Sequence, residues 1–268
     1  MRLIVTRPAA QAAAWVAELQ ALGHDAVALP LIDIGPPADD APVLDAWQRL
    51  AQFRLVMFVS ANAVQQFFAL AGGPWPTGVR AASTGPGTSA ALRGAGVPAV
   101  SIVEPPADGG VFDSEALWAH LAHEDWAGAR VLVVRGEEGR DWLAETLRGR
   151  GASVEFVAAY QRRPPQLDAA ARALLQQALA APQAHTWLFS SSEAVGHLRG
   201  LLPAADWSHA AALASHPRIA QAARDAGFGQ VLLAAPTLDA VAQAAMAVAA
   251  AAAPPQPGRG PSIQSAPL

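Results

Sequence analysis

Apolar positions along the chain switch repeatedly between two periods, and the switching predicts the elements. Short apolar runs read as buried strands at Arg2–Arg7, Ala26–Ile34, Leu55–Val59, Val79–Ser83, Val97–Glu104, Arg130–Arg135 and Thr186–Phe189. Between them the spacing turns helical. Ala12, Trp15, Val16, Leu19 and Leu22 lie on one face of a segment that starts at Pro8, and Gly23 closes it as a helix C-cap. Ala41–Ala51 reads as a second helix. Others follow Gly85–Ser89 up to Arg93 and follow an Asp113 or Ser114 cap up to about His123. Strands alternating with helices predict parallel sheets covered on both faces, an α/β fold.

The pattern then restarts. Arg130–Arg135 repeats Arg2–Arg7, and the pairs Arg7/Arg135 and Gly23/Gly151 are each 128 positions apart. Ser60/Ser191, Pro86/Pro217 and Gly96/Gly227 are each 131 apart. Matched turn residues at matched distances point to an internal duplication.

Two turns stand out within the repeat. Phe189-Ser190-Ser191-Ser192-Glu193-Ala194-Val195 is a strand running through three hydroxyls into a helix, and Phe58-Val59-Ser60-Ala61-Asn62-Ala63-Val64 is its counterpart. The first N–H groups of such a helix lack intrahelical partners, and the helix dipole makes that end positive, which suits carboxylates or phosphates. A plain N-cap role for Ser or Asn stays open for each turn alone. Their duplication favours a shared ligand gripped from the two halves.

Composition narrows the chemistry. At 268 residues there is room for roughly two domains of ~150 residues, and a hydrophobic content of 52% argues for a folded chain. A net charge of −4 speaks against a nucleic-acid partner. No apolar run reaches the ~20 residues of a membrane helix and no signal-peptide pattern opens the chain, so a cytoplasmic setting is expected. With Cys 0, disulfides, thiol nucleophiles and thiolate metal sites are excluded. All 18 basic residues are Arg, which removes lysine Schiff bases and the Walker A lysine. His120 and His123 share a helical spacing but have no third ligand nearby, so no metal site is expected.

Three further stretches carry weaker signals. Gly85-Pro86-Gly87-Thr88-Ser89-Ala90 fits G-x-G-x-x-A, with Glu104 about 20 residues on as a dinucleotide fingerprint has. It follows a late strand, however, and its counterpart His216-Pro217-Arg218-Ile219-Ala220 has no glycine. A tight turn and an anion site using Thr88 remain open beside it. Arg135-Gly136-Glu137-Glu138-Gly139-Arg140 lacks the ending of a phosphate loop and reads as a solvated loop in which Gly136 lets backbone N–H groups approach a ligand. Tyr160, the only tyrosine, lies in Ala158–Pro165 at the position of Ile32 in the first half. A structural role and a hydrogen-bond donor role both stay open for it; an ordinary phenol is protonated at pH 7.

Taken in order, Val5–Pro8, Phe58–Val64, Gly85–Ser89, Val133–Arg140, Tyr160–Arg163 and Phe189–Val195 resemble the uroporphyrinogen-III synthase family over about residues 1–250. The resemblance implies two flavodoxin-like α/β domains with exchanged halves, joined by two linker strands. One would hold residues 1–33 plus 166–250 and the other 38–157, with linkers at 30–37 and 158–165 and a flexible tail at 251–268. It implies hydroxymethylbilane, a linear tetrapyrrole with acetate and propionate arms, as substrate in haem biosynthesis, and no cofactor. The chemistry would be loss of the terminal hydroxyl, attack to a spiro intermediate, and closure with ring D inverted.

Tyr160 then matches the family's candidate general acid and Thr88 its first-half threonine. The expected substrate-binding set is Arg7, Ser60, Ala61, Asn62, Gly85, Pro86, Gly87, Arg135, Gly136, Ser190, Ser191, Ser192 and Arg218. Where the family has Gly-Pro-x-Thr in the second half, this chain has His216-Pro217-Arg218-Ile219, so Arg218 is expected to bind a carboxylate in place of the hydroxyl. A monomer without nucleic-acid or membrane partners is expected. A non-catalytic two-domain binder of an anionic small molecule is the alternative, and a nucleotide-dependent enzyme the third reading.

Overall fold

Eleven strands and ten α-helices alternate along residues 1–105, 113–137 and 139–252, which a computed structural model describes. The strands are β1 Arg2–Val5, β2 Ala26–Ala28, β3 Asp33–Gly35, β4 Leu55–Phe58, β5 Arg80–Ser83, β6 Ile102–Val103, β7 Arg130–Gly136, β8 Ser153–Arg163, β9 His185–Phe189, β10 Ala211–Ala214 and β11 Gln230–Leu233. The helices are α1 Ala9–Ala21, α2 Ala41–Gln48, α3 Ala61–Leu70, α4 Pro86–Gly94, α5 Ser114–Leu121, α6 Trp142–Gly149, α7 Ala169–Ala180, α8 Ser192–Leu201, α9 Pro217–Asp225 and α10 Leu238–Ala252. The chain divides into one unit of residues 1–33 with the chain from Pro164 onward, and a second of residues 34–163.

In the first unit the strand order is β2-β1-β9-β10-β11, with every pair parallel. Counted along its own chain this is 2-1-3-4-5, the flavodoxin-like order. In the second unit the order is β3-β8-β7-β4-β5-β6. Here β7 and β8 stand where β1 and β2 stand in the first unit, and β4, β5 and β6 stand for β9, β10 and β11. The second unit thus has the same layout with its two parts in the opposite chain order.

Register carries the duplication to the level of single residues. Val5 pairs with Leu188, and their counterparts Val133 and Met57 pair in the same way. Leu3 pairs with Ala26 as Val131 pairs with Val154, and Trp187 with Ala212 as Val56 with Ala81. Gly23 and Gly151, which end equivalent helices, take φ +86° and +87°, a conformation that glycine adopts without strain.

Burial explains why the strands lack polar alternation. All residues of β4, β9 and β10 are buried, as a parallel sheet covered on both faces requires. Val56 and Phe58 pack with Phe67 of α3 and Leu92 of α4, whereas Leu55 and Met57 pack with Leu117 of α5 and Leu147 of α6. In the first unit Leu3, Val5 and Leu188 pack with Leu19 of α1 and Val241 of α10. Trp187, Phe189, Trp207 and Phe228 form an aromatic cluster in the same unit.

Three expectations need correction. Ala26–Ile34 is not one strand: it stops at Ala28 and resumes as β3 from Asp33 to Gly35 in the other sheet. Leu29 and Leu31 still donate to Val5 O and Thr6 O, and Leu29, Leu31 and Ile32 stay buried, so the apolar run continues where the strand does not. Val97–Glu104 holds only the two-residue β6, because a 3-10 turn at Ala99–Ser101 follows Pro98 and leaves Val100 at 93% exposure. The helix expected over Ala41–Ala51 ends at Gln48 and tightens into a 3-10 turn at Leu50–Gln52. The stretches 30–37 and 158–165 carry β3 and the end of β8, side by side in one sheet. Helix α10 reaches Ala252, and the remainder of the tail expected at 251–268 lies outside the described residues. No helix among the described residues is long and apolar enough to cross a membrane.

Candidate functional site

Open parallel sheets bind ligands beyond the carboxyl ends of their strands, at the point where successive crossovers diverge. That point lies between β1 and β9 in the first unit and between β7 and β4 in the second. Arg7 and Ser190–Ser192 flank the first; Arg135, Gly136 and Ser60–Asn62 flank the second. Thr88 with Gly85–Gly87 lies one strand further out, after β5, and Arg218 after β10.

In the second unit Ser60 leaves β4 in an extended conformation, and its hydroxyl accepts from Ala63 N at 3.2 Å, capping α3. The same oxygen lies 3.3 Å from the hydroxyl of Tyr160. Tyr160 is only 6% exposed. A β-bulge positions it: Arg135 pairs with Ala158 but Gly136 with Tyr160, so one residue of β8 is skipped. The extra residue puts Tyr160 into the same packed cluster as Val157 and Ala159, although a regular strand would turn it to the other face. Gly136 makes room for the ring, since a Cβ there would lie 3.0 Å from two of its carbons.

Arg135 is not brought to Tyr160. It pairs with Asp141 and stacks 4.2 Å above the Phe156 ring. There it lines a cavity of about 250 Å³ with Met57, Val59, Thr84, Leu143 and Phe156. Most of those side chains belong to the α5–α6 side of the sheet. Thr88 is buried, and its neighbour Ser89 joins Ser83 through a 2.6 Å hydroxyl contact. Gly85 takes the N-cap position of α4 with Pro86 following, and a Cβ on Gly87 would meet nothing within 4 Å beyond its own turn of the helix.

The first unit repeats the turn with more donors. Ser191 caps α8 by accepting from Glu193 N at 3.2 Å. The Ser192 hydroxyl is buried without a hydrogen-bond partner among the described residues, and so is Nε of Arg7. Arg7 stacks 4.1 Å above the Trp15 ring, and burial pulls its pKa below the ordinary arginine value. Buried polar groups are nearly always paired, so these two unpaired groups, which follow the adjacent strands β1 and β9, stand out among the described residues. Thr6 fixes the strand ends by donating its hydroxyl to Leu188 O at 2.7 Å.

At the divergent corner His216 stands at the N-cap place that Gly85 takes before α4 and adds a side-chain cap that glycine lacks, while Ile219 stands where Thr88 stands. His216 caps α9, its Nδ1 accepting from Arg218 N at 3.2 Å, while the Arg218 side chain is exposed. Sequence reasoning missed this role, though the place directly before a helix-opening proline marks His216 as a cap. It also missed the Ser83–Ser89 contact, reading Ser89 only as part of the Gly85–Ala90 turn and Ser83 only as the end of a strand. Among the described residues no group of three or more His, Asp or Glu is placed to hold a metal ion.

The family model described as uroporphyrinogen-III synthase HemD matches residues 13–243. A uroporphyrinogen-III synthase of Salmonella typhimurium is 35% identical over 181 residues, covering 65% of this chain and 70% of its own. One of Synechococcus elongatus is 32% identical over 217 residues, 77% of either chain. The crystal structure of uroporphyrinogen-III synthetase from Helicobacter pylori 26695 shares the fold, with a TM-score of 0.56 at 17% identity over 92% of this chain and all of that one. The chain belongs to the uroporphyrinogen-III synthase family.

Proposed function

We propose that this chain closes hydroxymethylbilane to uroporphyrinogen III, inverting ring D through a spiro intermediate, and that the donors at its two switch points hold the substrate. A net-negative protein cannot attract a polyanionic ligand by its overall field, so local donors must do it. Arg7, Ser190, Ser191, Ser192 and the start of α8 supply them in the first unit, with Arg218 at its outer corner. Ser60, Ala61, Asn62, the turn Gly85-Pro86-Gly87, Arg135 and the N–H of Gly136 supply them in the second.

The reaction balances without an external redox partner. The terminal hydroxyl leaves as water, taking up one proton. The carbon it leaves bonds to the substituted carbon of ring D, giving the spiro intermediate. The bond from that ring D carbon to its old methylene bridge then breaks, and the freed methylene bonds to the unsubstituted carbon of ring D, which releases one proton. The protein's part is to aid that departure, orient the chain and shield the reactive species. Tyr160 is the residue we assign as hydrogen-bond donor to the departing hydroxyl, with Thr88 as a second polar contact. The observation that supports this most is the reach of Tyr160, the chain's only tyrosine, to Ser60 at a carboxyl strand end. The reading calls for no cofactor and for a cytoplasmic monomer, which sedimentation at assay concentration tests.

The decisive experiment incubates the protein with freshly made hydroxymethylbilane and resolves the isomers. Type III should predominate. Type I alone, the product of spontaneous closure, would overturn the reading.

A further inference from the structure

His197 lies on α8, five residues after the helix begins, and its side chain is only 17% exposed. Its Nδ1 is 2.6 Å from the carbonyl oxygen of Leu31, which can only accept, so Nδ1 carries the proton and donates. Leu31 lies beyond the end of β2, and α8 follows β9. In the sheet order β2-β1-β9, the bond therefore passes over the carboxyl end of β1, where Arg7 begins.

The same backbone unit is held from the other side. Leu31 N donates to Thr6 O at 3.2 Å, and both the N–H and the hydroxyl of Thr6 reach Leu188 O on β9. Hydrogen bonds link His197 to Leu31, Leu31 to Thr6 and Thr6 to Leu188, and the chain running from β9 into α8 completes the circuit under the switch point. Its two lips are the Arg7 strand end and the Ser190–Ser192 turn. Within this circuit only the His197 bond ties the helix that carries the serine turn directly to the chain after β2.

We infer that His197 is a positioning residue for substrate binding, holding the start of α8 in register with Arg7 through its bond to the Leu31 carbonyl. It touches no reacting atom, so its loss should weaken binding of the acidic substrate more than it slows the closure. The inference rests on the reading that this turn binds the bilane's carboxylates.

The test compares His197→Leu, which keeps bulk but donates nothing, with His197→Asn, whose side-chain N–H can take the place of Nδ1–H. KM for hydroxymethylbilane should rise about five- to tenfold in His197→Leu, the scale of one lost hydrogen bond, with kcat within about twofold. His197→Asn should restore KM to within about twofold of the parent. Circular dichroism and thermal unfolding of both variants separate misfolding from misplacement. Equal KM values for parent and His197→Leu, or a His197→Asn variant no better than His197→Leu, overturn the inference. Because the parent protein's isomer product is measured independently, failure of the family reaction is distinguishable from failure of this residue's role.

Discussion

The ring of Tyr160 occupies the space that any side chain at position 136 would need: a Cβ built on Gly136 falls 3.0 Å from Cε2 and Cζ and 3.3 Å from the hydroxyl oxygen. Gly136→Ala must therefore shift the phenol by a few tenths of an ångström and disturb its 3.3 Å contact with Ser60. The expected cost is about 1–3 kcal/mol in unfolding free energy, the usual range for overpacking, together with a lower kcat. Repeating the change in a Tyr160→Phe background should retain the stability cost and lose most of the kcat effect. An additive kcat effect would mean that Gly136 acts on turnover by some other route.

Tyr160→Phe keeps the ring and removes the hydroxyl. Stability should change by less than about 1 kcal/mol, because a single hydrogen bond contributes little net. If the phenol assists departure of the hydroxyl, kcat should fall about 30- to 1,000-fold, the scale of a removed oxyanion donor, while KM stays within about threefold. An unchanged rate would leave Tyr160 with a packing role only.

The serine turns were legible in the sequence because N-capping is local: Ser60 and Ser191 bond to N–H groups three and two residues away. Parallel sheets were legible because strands alternate with helices, and the likeness of the two halves because the repeat preserved spacing and turn glycines, whereas the exchanged layout came with the family resemblance. Other features were hidden for definite reasons. The bulge that turns Tyr160 depends on β7, its partner strand. The break within Ala26–Ile34 leaves no trace in hydropathy, since Leu29, Leu31 and Ile32 are buried within it. The partner of His197 is 166 residues away, beyond any local pattern.

Acid should weaken the second unit through Glu124. Arg80 donates to both of its carboxylate oxygens at 2.7 Å, with Arg54 adding a further bond, and this pairing holds the carboxyl below the usual range despite partial burial. A folded-state pKa below the unfolded value of about 4.3 stabilises the native state above that pH. The contribution is lost as pH falls through the depressed value. Glu155, held down chiefly by Arg130 and then by Arg49, acts with the same sign. Glu124→Gln should cost about 1–2 kcal/mol at pH 7 and flatten the fall in urea midpoint below pH 4.5. A fall as steep as the parent's would remove Glu124 from the account.

Two glycines should respond in opposite ways to alanine. A Cβ on Gly229 would lie 1.8 Å from the carbonyl oxygen of Ser208, a backbone atom that cannot swing aside. Gly229→Ala should therefore cost about 3 kcal/mol. Gly87, in the more conspicuous Gly-Pro-Gly turn, has open space around it, so Gly87→Ala should leave stability unchanged or raise it by about 0.5 kcal/mol. Thermal unfolding of the two variants decides the matter, and equal losses would contradict the geometry.

Trp187 supplies the last test, because two effects oppose each other there. Its indole is fully buried between Phe189, stacked at 6.1 Å, and Trp207, edge-on at 5.5 Å, yet its Nε1–H has no hydrogen-bond partner among the described residues. An unpaired buried donor costs about 1–3 kcal/mol, which Trp187→Phe recovers. The smaller ring gives up part of the packing, a loss of similar size. The two should nearly cancel, leaving Trp187→Phe within about 1 kcal/mol of the parent, whereas Trp187→Ala should cost about 3–5 kcal/mol. Urea unfolding of both variants measures the difference. A loss above about 3 kcal/mol for phenylalanine would mean that the N–H is satisfied in solution and that the whole indole is needed.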